Sequence, residues 1–351
     1  MSLSPNVRPA PPDTAKWLRP WVQLKYFSFH PCIYPAMVRG ASPDAVPGSV
    51  VNVYDKDGRL FGSGMFNPHA RVPLRVLRHS IEPLAGDLFQ PLIDDALRLR
   101  IDQLKLPEVT DAFRVIHSDG DGLSGLIIDK LGETLSIEVH SLGIFQRLTQ
   151  WLPLFHQRLG TKKMVLSVDD FIAKIERINP KLIQSDPVRL MRVMENGIRY
   201  EIDFETSHKT GFFCDQRENR RRLTRWTGGK RVLDLCCYTG GFSLSAMMTG
   251  NAADVTGVDL DEKAIAQAKR NANLNQARVN WVHCDAYSFA RQMQRNGEQW
   301  DVVITDPPKL VFSKDDFEEG IRKYEDMNSL AASLVKPGGV LVTCSCSGQV
   351  P

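Results

Sequence analysis

The run from Lys230 to Met248 constrains the architecture of this chain more than any other stretch. Val232, Leu233 and Leu235 form a short apolar segment around Asp234, the pair Gly240 and Gly241 follows, and the residues after it carry no helix breaker. Strand, tight turn and helix in that order make a nucleotide-cofactor turn. Glycine lets backbone approach a ligand with no Cβ in the way, and a helix start offers free N–H groups there. A Gly-Gly pair also serves plain tight packing, so this stretch alone leaves both readings open.

The residues downstream decide between them. Asp254 to Asp259 is a second buried strand, ending in an acid about 25 residues after Asp234, the offset at which a carboxylate can hold a pair of ribose hydroxyls. A helix from Asp261 to Asn275 starts on acids and carries Ala264, Ile265, Ala268 and Ala272 on one stripe. A third strand around Val279 to Val282 leads to Asp285, and a fourth from Trp300 ends in Asp306-Pro307-Pro308-Lys309. Strands alternating with helices predict a parallel sheet, here with four acids at four strand ends. The chain lacks G-x-G-x-x-G and has no Lys-Ser/Thr after its turn, which argues against dinucleotides and P-loop phosphates and for a cofactor without a phosphate chain.

Asp234 to Ser243, Gly257-Val258-Asp259, the Asp306-Pro307-Pro308-Lys309 turn, Thr343 to Ser347 and above all Lys209 to Arg220 resemble the S-adenosylmethionine-dependent large-subunit ribosomal RNA cytosine-C5 methyltransferase I family. The resemblance runs from about residue 20 to the end of the chain. It implies an α/β fold, a Rossmann-like methyltransferase sheet preceded by a small PUA-like β-barrel and an α+β linking domain. The corresponding boundaries are a disordered tail over 1–18, the barrel over 19–79, the linking domain over 80–188 and the methyltransferase domain over 189–351. The family continues past the equivalent of Pro351 with two further strands. The implied cofactor is S-adenosyl-L-methionine, held by Asp234, Tyr238, Thr239, Gly240, Gly241, Phe242, Asp259, Asp285, Asp306 and Gln216. Asp259 is expected on the ribose and Asp285 near the adenine amine, with Lys209 to Arg217 over the methionine end.

The earlier segments fit that plan. Four prolines and few apolar residues before residue 18 cannot offset the ordering entropy. From Trp21 to about Arg78 short alternating runs surround a hairpin signal at Asp55 to Gly58, and Gly62 to His69 resembles the family's PUA module. From about Ser80 to Pro187 the pattern mixes an amphipathic helix over Leu88 to Leu106, strands at Phe113 and Leu135, and a helix from about Ile144 to Arg158. The loop Asp119 to Gly125 reads as a hairpin connection, favoured over a ligand role.

Composition sets the remaining bounds. The first 80 residues hold ten Lys/Arg against four Asp/Glu, whereas the whole chain carries only +3, so the basic excess is N-terminal and suits a phosphate backbone. Five arginines, Arg217, Arg220, Arg221, Arg222 and Arg225, stud a helix expected from Asp215 to Trp226. With Lys309 they form the candidate RNA-facing patch, weighed against an ordinary solvated helix face. Ribosomal RNA is the expected partner, and a homodimer is admitted. No run approaches a membrane span, Met1 to Pro12 lacks a signal core, and seven cysteines without zinc-knuckle spacing read as reduced thiols in a cytoplasm, with no metal.

Methylating cytosine C5 requires a thiolate to add at C6 first, since the ring carbon is otherwise a poor nucleophile. Cys344 and Cys346 end the strand that follows Gly338 and Gly339, and family spacing puts the nucleophile at Cys346. Cys344 is then either a buried filler or the base for the C5 proton, a role open also to Asp306 or water. Asp306, stiffened by Pro307 and Pro308, is placed to hold the cytosine N3/N4 edge. Two rivals stand beside this: an exocyclic-amine methyltransferase, since Asp-Pro-Pro turns also serve amines, and a noncatalytic RNA-binding or ribosome-assembly factor.

Overall fold

The computed structural model describes residues 13–26, 28–83, 86–204, 212–313, 315–348 and 350. The chain divides into two compact units, Met1–Glu108 with Phe113–Val188, and Val109–Ala112 with Arg189–Pro351. Most of the tail expected over 1–18 lies outside the described residues. From Asp13 onward it is ordered, contrary to expectation: Asp13 caps a turn at Thr14–Lys16, and the Trp17 ring stacks on Tyr54 at 4.1 Å. That aromatic contact is what a proline count does not register.

In the first unit, six strands run in the order Cys32–Ile33, Leu74–His79, Leu60–Phe66, Ser49–Tyr54, Trp21–Leu24, Val38–Ala41. Alternation puts Val22, Leu24, Val51, Val53, Leu74 and Val76 into one core. The expected hairpin is present, with Asp55 Oδ1 accepting from the Asp57 and Arg59 amides and Gly58 at φ 82°. A Cβ on Gly62 or Gly64 would collide with the Arg78 or Arg75 carbonyl of the neighbouring strand, so this close approach requires glycine.

A second sheet of this unit runs in the order Lys163–Ser167, Thr134–Val139, Leu126–Leu131, Ala112–His117, with helices Gln90–Arg98 and Leu142–Leu159. Its core takes in Met65 and Leu77 of the barrel, so the two subdomains share one apolar interior. Glu176, 3% exposed, joins them in polar terms: its carboxylate accepts from Asn67 Nδ2 at 2.8 Å and from the Leu142 amide at 3.1 Å. The helix expected over Leu88 to Leu106 is shorter, passing into a wider turn at Leu99–Gln103.

The second unit is a parallel five-stranded sheet in the order Asn280–His283, Asp254–Asp259, Arg231–Leu235, Trp300–Thr305, Val335–Thr343. Helices Gly241–Met248, Glu262–Leu274, Ala286–Arg295 and Phe317–Ser333 connect the strands. An antiparallel pair, Leu190–Glu195 with Ile198–Asp203, precedes the sheet. The segment Val109–Ala112 fastens onto this pair: the Asn196 amide donates to Val109 O, the Asp111 amide to Met194 O, and Thr110 Oγ1 also to Met194 O. Strand order reverses between Arg231–Leu235 and Trp300–Thr305, and the crevice at the carboxyl ends there is where such sheets take ligands.

Candidate active site at the carboxyl ends of the sheet

Asp234 is the penultimate residue of its strand, wholly buried at the order reversal. Its Oδ2 accepts from the Ser243 amide at 3.0 Å and the Ser243 hydroxyl at 2.6 Å, while Oδ1 is buried with no partner. Burial pushes this carboxyl up to about 7; the Ser243 bonds oppose that, and the charges of Asp306 and Asp259 add to it. Asp259 accepts from the Tyr238 amide at 2.7 Å and the Asp261 amide at 2.9 Å. Asp285 caps Ala286–Arg295 through the Ser288 amide.

The charges of all four strand-end acids reach one side chain. Cys236, held at φ 63°, has its thiol pushed up to about 12 by burial and then by Asp259, Asp234, Asp306 and Asp285 together. Asp306 is pushed up to about 6 by burial and by Asp215, against the pull of Arg220. A half-buried ring of carboxyls with one orphaned oxygen suits a compact cation. The sulfonium and ammonium of S-adenosylmethionine have that character, so the residues present fit the group. Among the described residues no three His, Cys, Asp or Glu side chains gather to hold a metal ion.

Several expected site residues take other roles. A Cβ on Gly240 would stand 2.5 Å from the Trp281 ring at a φ of 87°, so packing and backbone both ask for glycine there, whereas one on Gly241 would stand 3.2 Å from Arg220 Cδ and need only a small shift. Phe242 turns into the core with Leu223, Val232 and Val255 instead of toward a ligand. Thr239 O accepts from Asn271, and Gln216 Oε1 from Asn219. Lys209 to Gly211, from the segment expected over the methionine end, lie outside the described residues.

The arginine patch needs correction. Arg220 is 4% exposed, its guanidinium held by Glu195 at 2.7 and 2.8 Å and by Phe213 O at 3.0 Å, so it is a buried structural cation and cannot face RNA. The Arg217 side chain is mostly covered beside Glu218. Arg221, Arg222, Arg225 and Lys309 remain exposed, with Lys309 5.7 Å from the Phe312 ring centre. The helix itself runs Arg217–Leu223 between two tighter turns.

Cys346 is exposed, with its Sγ 4.0 Å from Pro307 O, beside the Asp306 turn. Cys344 is half-buried against the core that holds Val232, Val302 and Ile304, and burial, then Asp306, Asp234 and Asp215, push its thiol up to about 12. Sequence reasoning missed Ser243, Glu195, Asn328, Tyr324 and Ser347. Ser243 had a signal, because a buried strand-end acid needs donors and the first hydroxyl of the next helix is the nearest source. Ser347 stands next to Cys346 in the recognised motif; Glu195, Tyr324 and Asn328 carried none.

A parallel sheet with an acid-ringed strand–turn–helix at its reversal defines an S-adenosylmethionine-dependent methyltransferase. The family model described as S-adenosylmethionine-dependent methyltransferase matches residues 176–350, and that of a PUA-like domain matches 18–79. Two ribosomal RNA large subunit methyltransferases I, from Erwinia tasmaniensis and Aeromonas salmonicida, are each 33% identical over 91% of this chain and 82% of their own. The chain belongs to the ribosomal RNA large subunit methyltransferase I family. A candidate SAM-dependent methyltransferase from Streptococcus mutans shares the fold, with TM-score 0.66 at 21% identity over 84% of this chain and 77% of that one. A candidate methyltransferase complexed with SAH superposes similarly, with TM-score 0.67 at 21% identity over the same shares.

Proposed function

We propose that the chain methylates cytosine C5 in large-subunit ribosomal RNA, with Cys346 as nucleophile. The observation that carries this is the exposed Cys346 thiol beside the Asp306-Pro307 turn. S-adenosylmethionine supplies an electrophilic methyl group. Cys346, its proton lost to solvent, adds as the thiolate Sγ to C6 of the base, which moves electron density to C5 and N3. Asp306, raised to about 6, keeps a larger protonated share than an ordinary carboxyl and can donate to N3 as that charge develops. C5 then takes the methyl group, with S-adenosylhomocysteine as the leaving group, and loses its proton to a base; the C6–S bond breaks to return the thiolate, and N3 releases the proton it received. Cys344, raised to about 12, stays a thiol at neutral pH and is a poor base, which leaves the C5 proton to the Asp306 carboxylate or water.

In the cofactor cradle, Asp234 faces the cationic end, Asp259 the ribose and Asp285 the adenine edge. Arg221, Arg222, Arg225 and Lys309 offer exposed charge to the RNA backbone. The test is mass mapping of methylated nucleosides in ribosomal RNA from cells with and without the intact gene. The expected result is loss of one 5-methylcytosine; loss of an N-methylated base instead would select the amine mechanism.

A further inference from the structure

We propose that one stripe of the helix Phe317–Ser333, made of Gly320, Tyr324 and Asn328, is the template that fixes the Asp306 turn against Cys346, with Ser347 as its contact. This rests on the assignment of Asp306 and Cys346 above. Residues four apart share one face of a helix, and each of these three meets a different part of the reacting loops. A Cβ on Gly320 would stand 2.6 Å from Leu310 O, so only glycine lets the helix lie this close to the chain leaving the Asp306 turn. Tyr324 OH lies 2.9 Å from Ser347 Oγ, and both side chains are buried. Asn328 Oδ1 accepts from Thr305 Oγ1 at 3.2 Å and Thr343 Oγ1 at 2.9 Å, the residues just before Asp306 and Cys344.

Ser347 is the joint. Its Oγ accepts from the Leu310 amide at 3.3 Å and the Val311 amide at 3.1 Å. Two lone pairs are then used, and its proton goes to Tyr324. The hydroxyl next to the nucleophile is thus tied to the chain that carries Asp306, while its own hydrogen bond fixes it to the helix. None of these groups reaches a reacting atom, so all are positioning residues.

Ser347→Ala in the full chain tests this. The expected outcome is a fall in kcat on the order of 10²-fold, the effect of a displacement near 1 Å at a reacting centre. The Kd for S-adenosylmethionine stays unchanged, and hydrogen exchange quickens at the Leu310 and Val311 amides. Tyr324→Phe leaves the two amide bonds and should lower kcat less, again at unchanged Kd; it decides the matter if Ser347→Ala does not fold. Unchanged kcat overturns the proposal, as does a fall in kcat matched by loss of cofactor binding, since both mark a plain scaffold. Cys346→Ala is measured alongside: if that variant still forms 5-methylcytosine, the assignment beneath the proposal fails; if it is inactive while Ser347→Ala is normal, only the template fails.

Discussion

The two halves of the parallel sheet hold their functional groups differently. On the side of the first three acids, Asp234 and Asp285 are fixed by the helix beginning beside them, through Ser243 and Ser288, while Asp259 is held by Asp261 beside it and by Tyr238 on the turn after the neighbouring strand. On the substrate side, Asp306 and Cys346 sit on loops joined by Ser347 to partners 23 and 36 residues away. A cradle made mostly of contacts within one strand–turn–helix unit or between adjacent turns needs little of the rest of the sheet. A reacting pair made by distant contacts depends on the whole sheet and on the helix behind it, so the two halves should respond differently to substitution.

Cys346→Ala has the largest expected effect, abolishing both methyl transfer and any covalent RNA adduct while cofactor binding persists; persistence of the product, read by mass spectrometry, breaks the division. Arg220→Ala comes next. It leaves Glu195 buried without its cation and should cost about 3–5 kcal/mol of stability in denaturant titration. Asp259→Ala should weaken cofactor binding by about 1–3 kcal/mol in calorimetry, with the fold intact. An unchanged affinity would move the ribose elsewhere.

A smaller effect separates the halves by pH. The folded chain raises Asp234 to about 7 and Asp306 to about 6, above the unfolded value near 4. Their contribution to stability is therefore full below about pH 4 and is lost as pH rises through about 6 to 7. A cationic ligand favours the ionised forms, so S-adenosylmethionine affinity should rise over that interval, at most tenfold per pH unit for each group. Asp234→Asn should flatten the slope; a slope that survives assigns it to Asp306. The least effect on stability, within about 0.5 kcal/mol, is expected for Arg221, Arg222 and Arg225 changed to Gln. Their RNA affinity should fall less steeply with salt than that of the parent chain.

The same contrast explains what the sequence disclosed. Asp259 and Asp306 could be read as strand-end acids because each closes an apolar run, and such runs show their period directly. The arginine run could not be sorted, since nothing near it says that Arg220 faces inward to Glu195. Phe242 was misjudged because a turn motif does not specify which way the next aromatic points. The Gly320, Tyr324 and Asn328 stripe has ordinary helical spacing, and its meaning depends on loops that fold over it. The shared core of Met65 and Leu77 likewise makes the barrel less separable than its composition suggests. Cutting away residues 1–78 would take the Asn67 and Arg75 partners from the buried Glu176 carboxylate, so substitutions on the barrel surface test its RNA role more cleanly than deletion.

The short segment Val109–Ala112 also has a consequence in time. It belongs to the second unit, yet its partner Met194 lies 84 residues further along the chain. At ordinary rates of synthesis that separation is on the order of ten seconds. A nascent chain can close the barrel and its shared core while Val109–Ala112 still waits, unpaired, for the strand that completes it. The first unit can therefore be born folded, whereas the catalytic unit starts with a piece already made and finishes only when its last strands arrive.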